Sequence, residues 1–135
     1  MRAFLDDGTG WEAADPGHFT GSVRLKRTAV LPGETPAKVY LVEFQAGART
    51  HWHVHTGRQL LFIVEGLCRF AKWGEEPREA GPGDMIAIEP GEKHWHGAAR
   101  GGRMSHFAVN IALETTWLEA VDEESYAGRG PPPRS

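Results

Sequence analysis

Residues 47–66 read GARTHWHVHTGRQLLFIVEG, with His51, His53 and His55 at every second position, then Gln59, then an apolar run closed by Gly66. Side chains alternate faces along a β-strand, so His53 and His55 point the same way and can grip one cation. A turn through Thr56-Gly57-Arg58 would fold Gln59 back beside them and add an amide oxygen, leaving a further ligand to come from elsewhere in the chain. The run from Gln59 to Glu65 is apolar on both faces, with Gln59, Leu61 and Ile63 on one and Leu60, Phe62 and Val64 on the other. A strand half in water would alternate, so its back must be covered by another sheet or another subunit.

The rest of the chain fits a small barrel around that stretch. At 135 residues it is long enough for one core and too short for two. Hydrophobic residues make up 40% and charged residues 24%, as in ordinary globular domains. A net charge of −3 argues against a nucleic-acid partner, and no apolar run approaches membrane-spanning length. The single cysteine, Cys68, rules out an internal disulfide framework and reads as an inert buried thiol; with no apolar leader at the start, a cytoplasmic location is expected. Seventeen glycines and nine prolines in short clusters predict many turns between short strands.

Strands are expected over 19–30, 38–45, 59–65, 67–73, 85–88 and 103–113, with Tyr40, Val42 and Phe44 facing inward. A helix is expected over 116–126, where Trp117, Leu118 and Val121 fall near helical spacing. The division that follows is an N-terminal arm (1–18), an all-β barrel (19–115) and a C-terminal helix with a disordered tail (116–135). Trp52 and Trp95 have the opposite parity to the neighbouring histidines and are read as packing residues. Arg49 and Arg58 are read as solvated.

Five of the seven histidines lie in two segments, His51, His53 and His55, then His94 and His96, with His106 following on the last long strand. Imidazole is the commonest neutral metal ligand, so this clustering points to a metal centre. The spacing resembles that of small single-domain cupins. Their first motif, G-x5-H-x-H-x3,4-E-x6-G, maps onto Gly47, His53, His55, Gln59 and Gly66, with glutamine in place of glutamate. Their second, G-x5-P-x-G-x2-H-x3-N, maps onto Gly83, Gly91 and His94, with Glu89 and Ala98 in place of proline and asparagine. The resemblance implies an all-β cupin jelly-roll barrel with a short C-terminal helix and one divalent metal at its centre. A neutral Gln59 leaves the ion its full double charge, which makes it a stronger Lewis acid.

The segments GART-x-WH-x-H-x3-Q, PGEKHWHGA and MSHFAVN further resemble the bacterial cupin hydroxynitrile lyases, manganese-containing enzymes that cleave or form cyanohydrins. That resemblance implies His53, His55, Gln59 and His94 as metal ligands and His106 as general base. Thr50, Val42 and Asn110 would contact substrate, Phe44, Leu61 and Ile63 would add apolar wall, and the phenol of Tyr40 would narrow the pocket. His96 is read as a pocket-wall residue or a brace for a ligand, and His51 as solvated or bracing. Manganese is favoured, with iron, nickel, cobalt, zinc or copper compatible with the donor set. A metal-dependent dioxygenase and a non-catalytic metal-binding module are the alternatives to a lyase. The partners expected are a small-molecule substrate and a second copy of the chain, a homodimer or higher homo-oligomer.

Overall fold

A computed structural model of the chain describes residues 1–129; the tail from residue 130, expected to be disordered, lies outside the described residues. In chain order the strands are β1 (Glu12–Ala13), β2 (Phe19–Thr20), β3 (Val23–Leu31), β4 (Ala37–Phe44), β5 (Arg49–Thr50), β6 (His53–His55) and β7 (Gln59–Glu65). They continue with β8 (Cys68–Lys72), β9 (Arg78–Ala80), β10 (Met85–Ile88), β11 (His94–Ala98), β12 (Met104–Ile111) and β13 (Thr115–Trp117), and one helix follows, α1 (Glu123–Ala127). Two antiparallel sheets result. The first runs β1-β3-β4-β12-β7-β10; the second runs β13-β6-β11-β5-β2, with β8 on the other side of β11 and β9 beyond it. Curled face to face, they form the all-β barrel with a short terminal helix that the sequence predicts.

The inner faces share a core of Val23, Val42, Phe44, Ala48, Ile63, Cys68, Ala98 and Met104. Two breaks in long strands shape the barrel. The strand expected over 19–30 divides at Gly21, whose φ of 83° lets the chain pass from the second sheet (β2) to the first (β3). The histidine strand divides between β5 and β6, and this shifts its phase. Thr50 faces the interior, whereas Trp52 packs outside with Trp95, Val121 and Tyr126. Unbroken alternation would have put Thr50 and Trp52 on one face.

The C-terminal region differs from expectation. Residues 115–117 are not helical but form β13, pairing with β6 in the register Thr115↔His55 and Trp117↔His53. Two threonines and a tryptophan suit a strand, and pairing satisfies the open edge of β6, which outweighs the helical spacing of the apolar residues. The helix is confined to Glu123–Ala127 between the Asp122 cap, whose carboxylate accepts from the Ser125 N–H at 2.7 Å, and left-handed Gly128. Arg49, expected in solvent, is buried because this segment covers it; its guanidinium donates to the Val121 carbonyl at 2.9 Å and to the Gly47 carbonyl at 3.1 Å. Arg58 is exposed and pairs with Glu89.

The N-terminal arm is anchored within its own chain. β1 pairs with β3, Trp11 lies under the Arg24 guanidinium at 4.0 Å, and Lys26 is buried against Asp6. Elsewhere on the outer face of the first sheet, Phe62, Val64 and Met85 are 40%, 48% and 53% exposed. The back of β7 is therefore left open by the described residues.

Where β11 crosses β5 the backbones nearly touch. A methyl group on Gly97 would lie 2.3 Å from the Ala48 carbonyl oxygen and 2.5 Å from the Arg49 Cβ. Gly97→Ala is accordingly expected to destabilise the fold by about 1–3 kcal/mol, measured by chemical denaturation.

Candidate metal centre

The register of the second sheet assembles the site. β6 and β11 pair antiparallel with His53 opposite His94, which brings the two histidine segments side by side. Ring centroids of His53 and His94 are 4.1 Å apart, and His55 lies 5.0 Å from His53 and 4.9 Å from His94. All three rings are buried, as are Gln59, His96 and His106. Among the described residues, one group of ligand-type side chains has its donor atoms all within 4.8 Å of one another: His53, His94 and His96.

Hydrogen bonds fix which ring atoms are free. The His53 Nδ1 lies 2.8 Å from the His51 carbonyl, and the His94 Nδ1 lies 2.8 Å from the Glu92 carbonyl. A carbonyl only accepts, so both Nδ1 atoms carry the hydrogen and both Nε2 atoms keep a lone pair. His51 thus acts through its backbone. The His94 Nε2, the His55 Nδ1 and the Gln59 Oε1 are buried without any partner. Unpartnered buried polar atoms are costly, and a cation is what would satisfy the His94 Nε2 lone pair and the Gln59 oxygen. The histidine cluster fits a single metal site.

His96 and His106 form a second unit. The His106 Nε2 lies 3.0 Å from the His96 Nδ1, and the His106 Nδ1 has no partner. Phe44 packs against both rings, at 6.0 Å from His96 and 5.4 Å from His106.

A cavity of about 290 Å³ opens onto these groups. It is lined by His53, His55, Gln59, His96 and His106, and by Tyr40, Val42, Phe44, Thr50 and Asn110 from the set expected to contact substrate. His94 and Leu61 line a smaller hollow instead, and Leu61 is fully buried with Ile88 and Ala108. Ile63 lies in the main core, so neither Leu61 nor Ile63 contributes wall to the cavity.

One side of the cavity was not foreseen from residue spacing. Trp117 lines it, tilted against His53 at 4.6 Å and stacked on His18 at 4.4 Å with the ring planes 7° apart; Asp15 sits 3.6 Å from the His18 ring. The signal that could have found Trp117 is the β-prone triplet Thr115-Thr116-Trp117. His18 carries no comparable signal.

A barrel of two curled antiparallel sheets with a histidine cluster inside defines a cupin. Residues 40–110 match the cupin domain family, and the chain belongs to it. It is 38% identical over 111 residues to the (R)-mandelonitrile lyase of Granulicella tundricola, covering 80% of this chain and 85% of that enzyme. A 55-residue stretch, 41% of this chain and 27% of the relative, is 34% identical to the dimethylsulfoniopropionate lyase DddQ of Ruegeria pomeroyi. Among solved structures, a cupin-like protein from Thermotoga maritima superposes with a TM-score of 0.83 at 32% identity, over 93% of this chain and 98% of that one. The curated relatives are lyases. No described helix is long and apolar enough to cross a membrane.

Burial holds the imidazoles neutral. It pushes His55, His94 and His106 down to about 4 and His53 and His96 well below the ordinary value of 6.5, with neighbouring rings adding to the effect at His53, His55 and His96. The unfolded chain binds protons at His55, His94 and His106 near pH 6.5, whereas the folded chain does so only near 4. Their contribution to stability is present above 6.5 and is lost as the pH falls toward 4. The melting temperature of metal-free protein is expected to drop steadily across that interval, and a flat profile by calorimetry would contradict the buried neutral state.

Proposed function

We propose that the chain is a metal-dependent lyase that cleaves and forms cyanohydrins. The observation that carries this reading is His106: fully buried, at the cavity wall beside the histidine cluster, with Nδ1 unpartnered. The mandelonitrile lyase relative supports the reaction class.

The ligands proposed are His53, His55, Gln59 and His94. Distance alone favours His96 as the third imidazole, because His53, His94 and His96 form the tight group. Hydrogen bonding favours His55 and Gln59, which each keep a buried polar atom without a partner, whereas the His96 Nδ1 is engaged by His106. The second argument is the stronger, because the two roles of His96 exclude each other. If His96 bound metal through Nε2, its Nδ1 would carry hydrogen and donate to the His106 Nε2. A neutral His106 would then carry its hydrogen on Nδ1 and have no lone pair for the cavity. With the His106 Nε2–H donating to His96, Nδ1 is free to accept a proton.

A divalent cation at these ligands, manganese favoured, would supply a Lewis-acidic positive charge beside the reacting oxygen. The chain's own residues do the rest. In cleavage the cyanohydrin hydroxyl proton passes to the His106 Nδ1. The carbon–carbon bond to the nitrile breaks, cyanide leaves with its electron pair, and the carbon becomes an aldehyde or ketone. His106 then returns the proton, giving HCN. Burial favours this return, since an imidazolium in that site is unstable. Val42 and Phe44 exclude water from an aryl or alkyl group, and Tyr40 limits its width.

The open back of β7 is the surface proposed for a second copy of the chain. It is an exposed sheet face carrying Phe62, Val64 and Met85, and the N-terminal arm, lying on β3, does not cover it. Light scattering is expected to give at least a dimer for the wild type and a monomer for Phe62→Asp.

Manganese-loaded protein is expected to release HCN from mandelonitrile, with His106→Ala at least about a hundredfold slower at unchanged metal content. His55→Ala should lose metal by elemental analysis, whereas His96→Ala should keep it. Cyanide release at wild-type rates from His106→Ala would sink the assignment of the base.

A further inference from the structure

Asn110 stands directly across the sheet from Gln59, β12 against β7, at the boundary between two hollows. It lines the inner cavity of about 290 Å³ and also an outer one of about 460 Å³, and Tyr40 and Thr115 line both as well. Its side-chain carbonyl accepts a 2.7 Å hydrogen bond from the Gln59 Nε2. The other end of that amide, Oε1, is buried and has no partner.

A carboxylate presents an oxygen at either end, so a glutamate at this place would need no orienting. A carboxamide has two ends of the same shape and opposite polarity. Turned one way, Gln59 offers a cation an oxygen; turned the other, it offers an NH₂ group that would repel the cation. In metal-free protein the unpartnered lone pair of the His94 Nε2 offers that NH₂ a competing acceptor among the clustered imidazoles. Something has to hold it back. The Asn110 carbonyl is the group that does so, and the reverse turn of Gln59 would oblige Asn110 to turn its own amide as well.

We propose that Asn110 is a positioning residue that fixes the sense of the Gln59 amide, with oxygen toward the metal, and that the need for it arises because a glutamine occupies the place of a carboxylate. This rests on the reading of Gln59 as a metal ligand. Substrate contact by Asn110 remains compatible, since its own NH₂ is left to the boundary between the hollows.

The dependence is conditional, and that makes it measurable without any activity assay. Metal-free protein is titrated with manganese in competition with a chelator, for the wild type, Asn110→Ala, Gln59→Glu and the double variant. Asn110→Ala is expected to bind manganese about tenfold more weakly than the wild type. In the Gln59→Glu background the same change is expected to shift affinity by less than about twofold, because a carboxylate has no wrong end. Asn110→Asp, whose carboxylate accepts the same hydrogen bond, should bind at least as tightly as the wild type. Should the alanine variant fail to fold, Asn110→Val takes its place with the same expectation. Equal losses in both backgrounds, or no loss beside Gln59, overturn the positioning role. An unchanged affinity in Gln59→Ala removes Gln59 from the ligands and overturns the underlying reading together with this one.

Discussion

The interior of this barrel depends on keeping imidazole rings uncharged while their lone pairs converge. Burial alone secures neutrality, and it would do so for any buried histidine. Convergence needs more. A neutral imidazole carries one hydrogen, and the nitrogen that holds it decides which way the lone pair points. Here the deciding groups are two backbone carbonyls, those of His51 and Glu92. Both lie where a strand is interrupted or about to begin, at the β5–β6 break and just ahead of β11, so their oxygens are not consumed by sheet pairing. The irregular backbone is therefore what orients these two rings, and the regular backbone is what brings them together, through the His53↔His94 pair.

The same strands serve two purposes on their two faces. His53, His55 and His96 look into the cavity, while Trp52 and Trp95 look outward into a separate cluster with Ala71, Val121 and Tyr126. The histidine-lined interior is thus backed by a second hydrophobic layer. Lys93 adds to it from the rim, its ammonium 3.4 Å above the Trp73 ring and 2.8 Å from Glu119. In the first sheet the division is less complete. Its inner face supplies Tyr40, Val42, Phe44, His106 and Asn110 to the cavity, and its outer face is covered only where the arm lies.

Much of this could be read from the residues. Alternation placed His53 and His55 together, motif spacing brought in His94, and apolar runs bounded by glycine and proline marked most strands. What escaped was non-local. The phase of Thr50 against His53 depends on a break that local propensity does not announce. Leu61 shares a face with Gln59, yet the curl of the sheet carries it into the core and away from the cavity. Arg49 is buried by a segment seventy-two residues further on, where the Val121 carbonyl meets it. Trp117 was assigned to a helix because its spacing from Leu118 and Val121 allowed one; only the open edge of β6 makes a strand preferable. His96 shows the opposite limit, since its position was legible and its hydrogen-bond partner was not.

Tyr126 is 1% exposed, with its hydroxyl on the Ala98 carbonyl at 2.7 Å and the guanidiniums of Arg49, Arg69 and Arg100 around its ring at 4.4, 5.6 and 4.9 Å. It pins the short helix over the backs of Trp52 and Trp95, the chain neighbours of His53 and His94. A protease that clipped the chain ahead of this tyrosine would leave the cavity walls untouched and still loosen the strands that carry the imidazoles. Resistance to digestion and the spacing of the imidazoles are thereby tied to a single latch.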